Sequence, residues 1–299
     1  MSRSGTPSRL RRRRAWRRSV TLLVVLVIGV VGVVVALDRV TGGSTLTARC
    51  AAINDGTSWF LSPAQAGNAA LLAGTAERRG LPARAVTIGI ATALQESKLL
   101  NIDYGDRDSV GLFQQRPSQG WGTVEQIMDP VYSTNAFYDG LVKVAGYEEL
   151  EITVAAQRVQ RSGFPDAYAQ HEARSRAWAS ALTGNSPAAL TCELGPAESA
   201  GGADAVQARL QRDYGEVPTS VGPDGTVVVA AGALSDGDAD DDARLGWALA
   251  QWSVAVAGEL ELDAVATADQ VWTRAEAAWA PSGTAPLPPG DVRLTLAPG

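Results

Sequence analysis

The chain has 299 residues, of which 45% are hydrophobic and 19% charged, a composition that suits a folded protein rather than a disordered one. Its formal net charge of −6 is unevenly spread: the first 19 residues hold eight arginines and no acid, whereas 17 acidic residues against five basic ones follow Cys192. So acidic a main body repels nucleic-acid phosphate, which excludes DNA and RNA as expected partners.

In chain order, residues 1–19 read as a basic cytoplasmic tail. Val20–Leu37 carries no charge over 18 positions, long enough to cross a bilayer once its flanks are included. Arginines before it and Asp38 after it place the N-terminus in the cytoplasm and residues 38–299 outside. A cleaved signal peptide is the alternative. The run is long for such a leader and no small-x-small cleavage site closes it, so an uncleaved anchor is expected. One span and one histidine, His171, argue against a transport pathway.

Residues 38–192 form the first expected domain, mainly α-helical. Ser62-Pro63 is an N-cap and first-turn proline, and Gly80 closes that helix. Pro82 opens the next, with Val86, Ile90, Ala93 and Leu94 at helical spacing and Gly89 at a close helix contact. Residues 98–123 lose the helical period. Helices are then expected to begin at Pro130, Thr153 and Pro165, the last ending at Gly184. The only two cysteines, Cys50 and Cys192, lie at the ends of this domain and are expected to pair as a disulfide outside the membrane. Residues 193–205 read as a linker, and 206–299 as a small accessory α+β domain. Its expected elements are a strand at 226–230, a helix at 243–260 and strands at 264–273 and 292–296.

The chemistry is concentrated in Gln95-Glu96-Ser97 and Ser109-Val110-Gly111-Leu112-Phe113-Gln114-Gln115. A carboxyl in an apolar setting has a raised pKa and can keep the proton that glycosidic cleavage requires; Glu96, after Ile90, Ala91, Ala93 and Leu94, has that setting or else is a solvated helix-end group. This stretch resembles the soluble lytic transglycosylase family, within the lysozyme-like superfamily, over roughly residues 60–184. Glu96-Ser97 matches the family's Glu-Ser pair. Gly111-Leu112-Phe113-Gln114 matches its Gly-Leu-Met-Gln turn, with Phe in the Met place. The interval of 15 residues from Glu96 to Gly111 agrees with the family.

The resemblance implies a lysozyme-like α+β fold, a peptidoglycan glycan strand as substrate and Glu96 as general acid/base. It also implies that Ser97 supports the site and that Gln114 lies along the cleft with Gly111 and Phe113. Tyr104 and Trp121 are candidates to stack on sugar rings, or else core aromatics.

The family's later Tyr-Asn pair has no tyrosine counterpart in the helix around 153–162, where Gln157 or Gln160 stands in its place. A hydrolase would need a second carboxylate, for which Asp103, Asp106 and Asp108 are the candidates; a solvated turn is the plainer reading of them. A lytic transglycosylase needs no second carboxylate, because the sugar's own C6 hydroxyl attacks.

Neither cofactor nor metal is expected: two cysteines and one histidine cannot make a Cys- and His-rich zinc site. Gly246–Trp252 with Val271-Trp272 faintly resembles a zinc-peptidase-like module of secreted cell-wall endopeptidases, but the region has no histidine. The expected function is a membrane-anchored lytic transglycosylase or muramidase. The alternative is a peptidoglycan-binding protein that keeps the cleft without turnover. The sequence names no protein partner.

Overall fold

Two short strands, β1 (Arg49–Asn54) and β2 (Thr57–Leu61), open the structure, a computed structural model that describes residues 48–235 and 237–298. The expected tail at 1–19 and anchor at 20–37 lie outside the described residues. Among the described residues, no helix is long and apolar enough to cross a membrane. Asp55 and Gly56 both adopt positive φ (48° and 73°), as a two-residue hairpin turn demands, and Asp-Gly is a preferred pair for it. Strand β3 (Leu190–Glu193) returns antiparallel to β1 and brings Cys192 opposite Cys50. The expected Cys50–Cys192 disulfide is present and buried.

Between β2 and β3 lie the helices. In α1 (Pro63–Arg78) a capping box joins Ser62 and Gln65, and Gly80 follows its end with φ 63°. Helix α2 (Ala83–Ser97) is buried along nearly its whole circumference, which its run Ala-Val-Thr-Ile-Gly-Ile-Ala-Thr-Ala-Leu allows. At Gly89 a side chain would meet Leu72 and the Tyr138 hydroxyl at 3.2 Å each, so the glycine admits the neighbouring helices. Helices α4 (Pro130–Leu141), α5 (Ile152–Gln160) and α6 (Glu172–Leu182) pack around α2 with α1, and the short α3 (Val124–Met128) packs on α4. The helix expected from Pro165 begins only at Glu172. The intervening chain folds in tight turns, with Ala167 N bonded to Phe164 O and His171 N to Tyr168 O.

After β3 come α7 (Ala203–Asp213), β4 (Thr219–Val221), β5 (Val227–Ala230), α8 (Ala239–Ala255), α9 (Ala257–Leu260), β6 (Leu262–Thr267), β7 (Gln270–Thr273), β8 (Ala278–Pro281) and β9 (Asp291–Leu296). Six of these form an antiparallel sheet in the order β4-β5-β9-β6-β7-β8. The strand expected over 264–273 is a hairpin that turns at Ala268-Asp269, Ala268 having φ 49°. The helix expected from 243 starts earlier, where Asp238 caps it, and breaks at Val256. The stretch expected as a linker contains the start of α7. Its Gly201 packs so closely that a Cβ would sit 2.7 Å from Glu261 O.

The two expected regions are fastened along α8, which packs on α6, α1 and β3 on one side and on β6 and β9 on the other. Buried Gln251 accepts from Ala189 N and Leu190 N at 2.9 Å each and donates to Ala181 O at 2.7 Å. Arg244 pairs with Glu77 at 2.9 Å. Ala48–Gly299 is accordingly one compact unit rather than two bodies on a tether.

Candidate active site

The centre of the site is the C-terminal end of α2. That helix stops because Lys98 and Leu99 take left-handed backbone conformations (φ 59° and 62°), while the Leu99 side chain is fully buried as an anchor. Ser97 sits just before the stop and is itself buried. Its hydroxyl donates to Leu112 O at 2.7 Å, so it ties the helix end to the 111–115 turn rather than facing solvent.

The turn is closed by a bridge between Val110 and Gln115 and by Gly111 N donating to Ile102 O at 2.6 Å. Gly111 has φ 79°, and a Cβ there would lie 2.7 Å from Ile127 O, so both backbone shape and space call for glycine. Phe113 is fully buried and stacks on Phe137 with ring centroids 4.5 Å apart; it is a core residue that holds the turn from beneath. Gln114 is half-buried, and its amide donates to Tyr104 O at 3.2 Å and Gly111 O at 3.3 Å.

Glu96 is the next residue back, half-buried above this turn. The Tyr168 hydroxyl donates to its Oε1 at 2.7 Å. Gln160, the last residue of α5, donates to Phe113 O at 2.8 Å. Burial raises the pKa of Glu96, and hydrogen bonding from Tyr168 and Gln160 offsets part of that rise. The Tyr168 phenol is pushed up in turn, by burial first and then by the Glu96 charge, so it stays a donor.

The segment that supplies Tyr168 clamps the helix end at more than one point. Gln170 and His171 both reach Gln95 Oε1 at 3.1 Å. The loop itself is pinned to α5: Gln157 donates to Ser162 O at 2.9 Å and Thr153 to Pro165 O at 2.6 Å. The sequence offers no tyrosine in α5, only Gln157 or Gln160. A tyrosine reaches the carboxylate from the following loop instead, and α5 supplies Gln160. The only signal for it was Tyr168 following a Gly163-Phe164-Pro165 turn, a weak one.

The three candidate aspartates have other surroundings. Asp108 accepts from Arg116 Nε and Ser118 N at 2.8 Å each, and these bonds hold its carboxyl far below the usual range. Asp106 is exposed and lies 3.8 Å from Arg107, and Asp103 is exposed. Tyr104 is 70% exposed on the same loop. Trp121 lines a groove of about 810 Å³ together with Tyr132, Lys143, Arg158, Arg161 and Gln160, and its carbonyl accepts from the Tyr132 hydroxyl at 3.1 Å. Among the described residues no cluster of His, Cys, Asp and Glu could hold a metal ion.

No protein-family model matches the chain, and no curated protein is significantly similar to it. The site therefore has to be read from its own geometry.

Proposed function

We infer that the protein cleaves the glycan strand of peptidoglycan as a lytic transglycosylase, with Glu96 as the single general acid/base. The observation that carries this reading is the contact between Tyr168 and Glu96 Oε1. Burial of the half-buried carboxyl raises its pKa and so favours the protonated form that a general acid needs. Since Oε1 accepts from the phenol, that proton resides on Oε2, the oxygen left to meet a glycosidic bond.

The chemistry balances with one carboxyl. Glu96 gives its proton to the glycosidic oxygen as the C1–O bond breaks. The C6 hydroxyl of the same sugar attacks C1 and returns its proton to the carboxylate, closing an anhydro ring without consuming water. Tyr168, donating to Oε1, stabilises the carboxylate between these steps. Asp108, held by Arg116 and Ser118, is poorly placed to activate a water, which favours the anhydro product over hydrolysis. The apolar, uncharged run at 20–37 suits an anchor that would hold this domain at the cell wall.

The test is Glu96→Gln, which keeps size and hydrogen bonding and removes the titrating proton. Turnover of purified peptidoglycan should fall by about 100- to 10,000-fold, the usual share of general acid–base catalysis. Wild-type products should carry anhydro ends. Reducing ends would assign hydrolysis, and unchanged turnover in Glu96→Gln would remove Glu96 from the mechanism. Binding without cleavage by either protein would leave a peptidoglycan-binding module.

A further inference from the structure

The groove beside Gln160 has a charge that sets it apart from the rest of this acidic chain. Lys143, Arg158 and Arg161 all line it and all are exposed. Among the described residues none of the three is in an ion pair, whereas ten other arginines are. The one acid in the lining, Asp139, is bound to Arg79 at 2.7 Å. The opposite character is supplied by Trp121, whose ring atom Cη2 would lie 3.8 Å from a Cβ at Gly140. Three unpaired cations and an aromatic wall suit a ligand with carboxylates spaced along short apolar side chains.

We propose that this groove binds the carboxylate-bearing stem peptide of the same strand whose glycan lies at Glu96. The proposal rests on the reading of the site as glycan-cleaving, which fixes what the strand is. Gln160 joins the two places: it lines the groove and donates to Phe113 O, in the turn beside Glu96, at 2.8 Å. A substituent of the strand reaches the groove without a second molecule. A phosphodiester wall polymer shares the negative charge but would have to enter independently, so the stem peptide is favoured.

Three soluble probes separate the outcomes: a peptide-free glycan tetrasaccharide, the same glycan with stem peptides, and that glycan with its carboxylates amidated. Binding is measured by calorimetry on the full chain carrying Glu96→Gln, and cleavage on wild type. The carboxylate-bearing probe should bind about tenfold more tightly than the other two, the scale expected of a few exposed ion pairs. That advantage should vanish in about 1 M salt, where the Debye length is about 3 Å. It should also vanish when Lys143→Glu, Arg158→Glu and Arg161→Glu are combined, with folding checked by circular dichroism. The salt series needs no variant, so a misfolded triple mutant would not rescue the proposal.

Equal binding of all three probes with wild-type cleavage intact overturns the stem-peptide site and leaves the catalytic reading standing. Preference for the carboxylate probe without wild-type cleavage supports the groove and refutes the catalysis. No binding and no cleavage refutes both. Tighter binding of a glycerol-phosphate oligomer than of the stem-bearing glycan would assign the groove to the wall polymer instead.

Discussion

Replacing Tyr168 by Phe removes one oxygen and leaves the buried ring in place. That oxygen donates to Glu96 Oε1 at 2.7 Å, and a hydrogen bond to a charged group is worth about 1.5–3 kcal/mol. The bond favours the ionised form, so its loss raises the Glu96 pKa further. A general acid fails as it ionises, so the alkaline limb of the pH–activity profile should move to higher pH. The optimum rate should fall by about tenfold, because Oε2 is no longer aimed by a tether on Oε1.

Stability carries the same sign. Folded Glu96 titrates above its unfolded value, so its contribution is fully present below the unfolded pKa and is lost as pH rises through the folded one. In Tyr168→Phe that loss should extend to higher pH. Turnover of a soluble glycan between about pH 4 and 9, with thermal melts over the same range, measures both. An alkaline limb that stays put or moves down would refute the account of Tyr168 as a donor to the ionised acid.

Two further outcomes follow from the scaffold. Gly111→Ala puts an L-residue at φ 79° with its Cβ 2.7 Å from Ile127 O; it should cost about 2 kcal/mol or more in denaturant unfolding, and a smaller loss would show that the turn can relax. The Cys50–Cys192 bond spans 142 residues, so removing it with paired serines should lower unfolding free energy by about 5 kcal/mol on the chain-entropy view; an unchanged midpoint under reductant would contradict that.

Much of the helical frame could be read directly. Ser62-Pro63, Gly80, Asp129-Pro130 and Gly184 are local signals whose physics does not depend on distant partners. The disulfide needed no geometry, since the chain has two cysteines. The hairpin β1–β2 had its signal in Asp55-Gly56, but its flanking strands are too short and mixed to show alternation. The hairpin at Ala268-Asp269 lacked even that, because alanine seldom takes a positive φ. At the site, Glu96 and the 111–115 turn stand out because their spacing is fixed by one helix end and one loop. Tyr168 did not, because the loop bearing it is placed by Gln157 and Thr153 rather than by any period of its own.

The Gln251 side chain gives the 193–205 stretch a different character from a hinge. Its two amide atoms satisfy backbone groups of Ala189, Leu190 and Ala181, on the far side of that stretch. A protease that nicks the chain near Ser199 would cut one covalent path and leave the two pieces gripping each other. Stopping translation at the same place would leave those backbone groups bare and the apolar flank of α6 uncovered. The last hundred residues thus cover buried groups of the Glu96 half rather than hang from it.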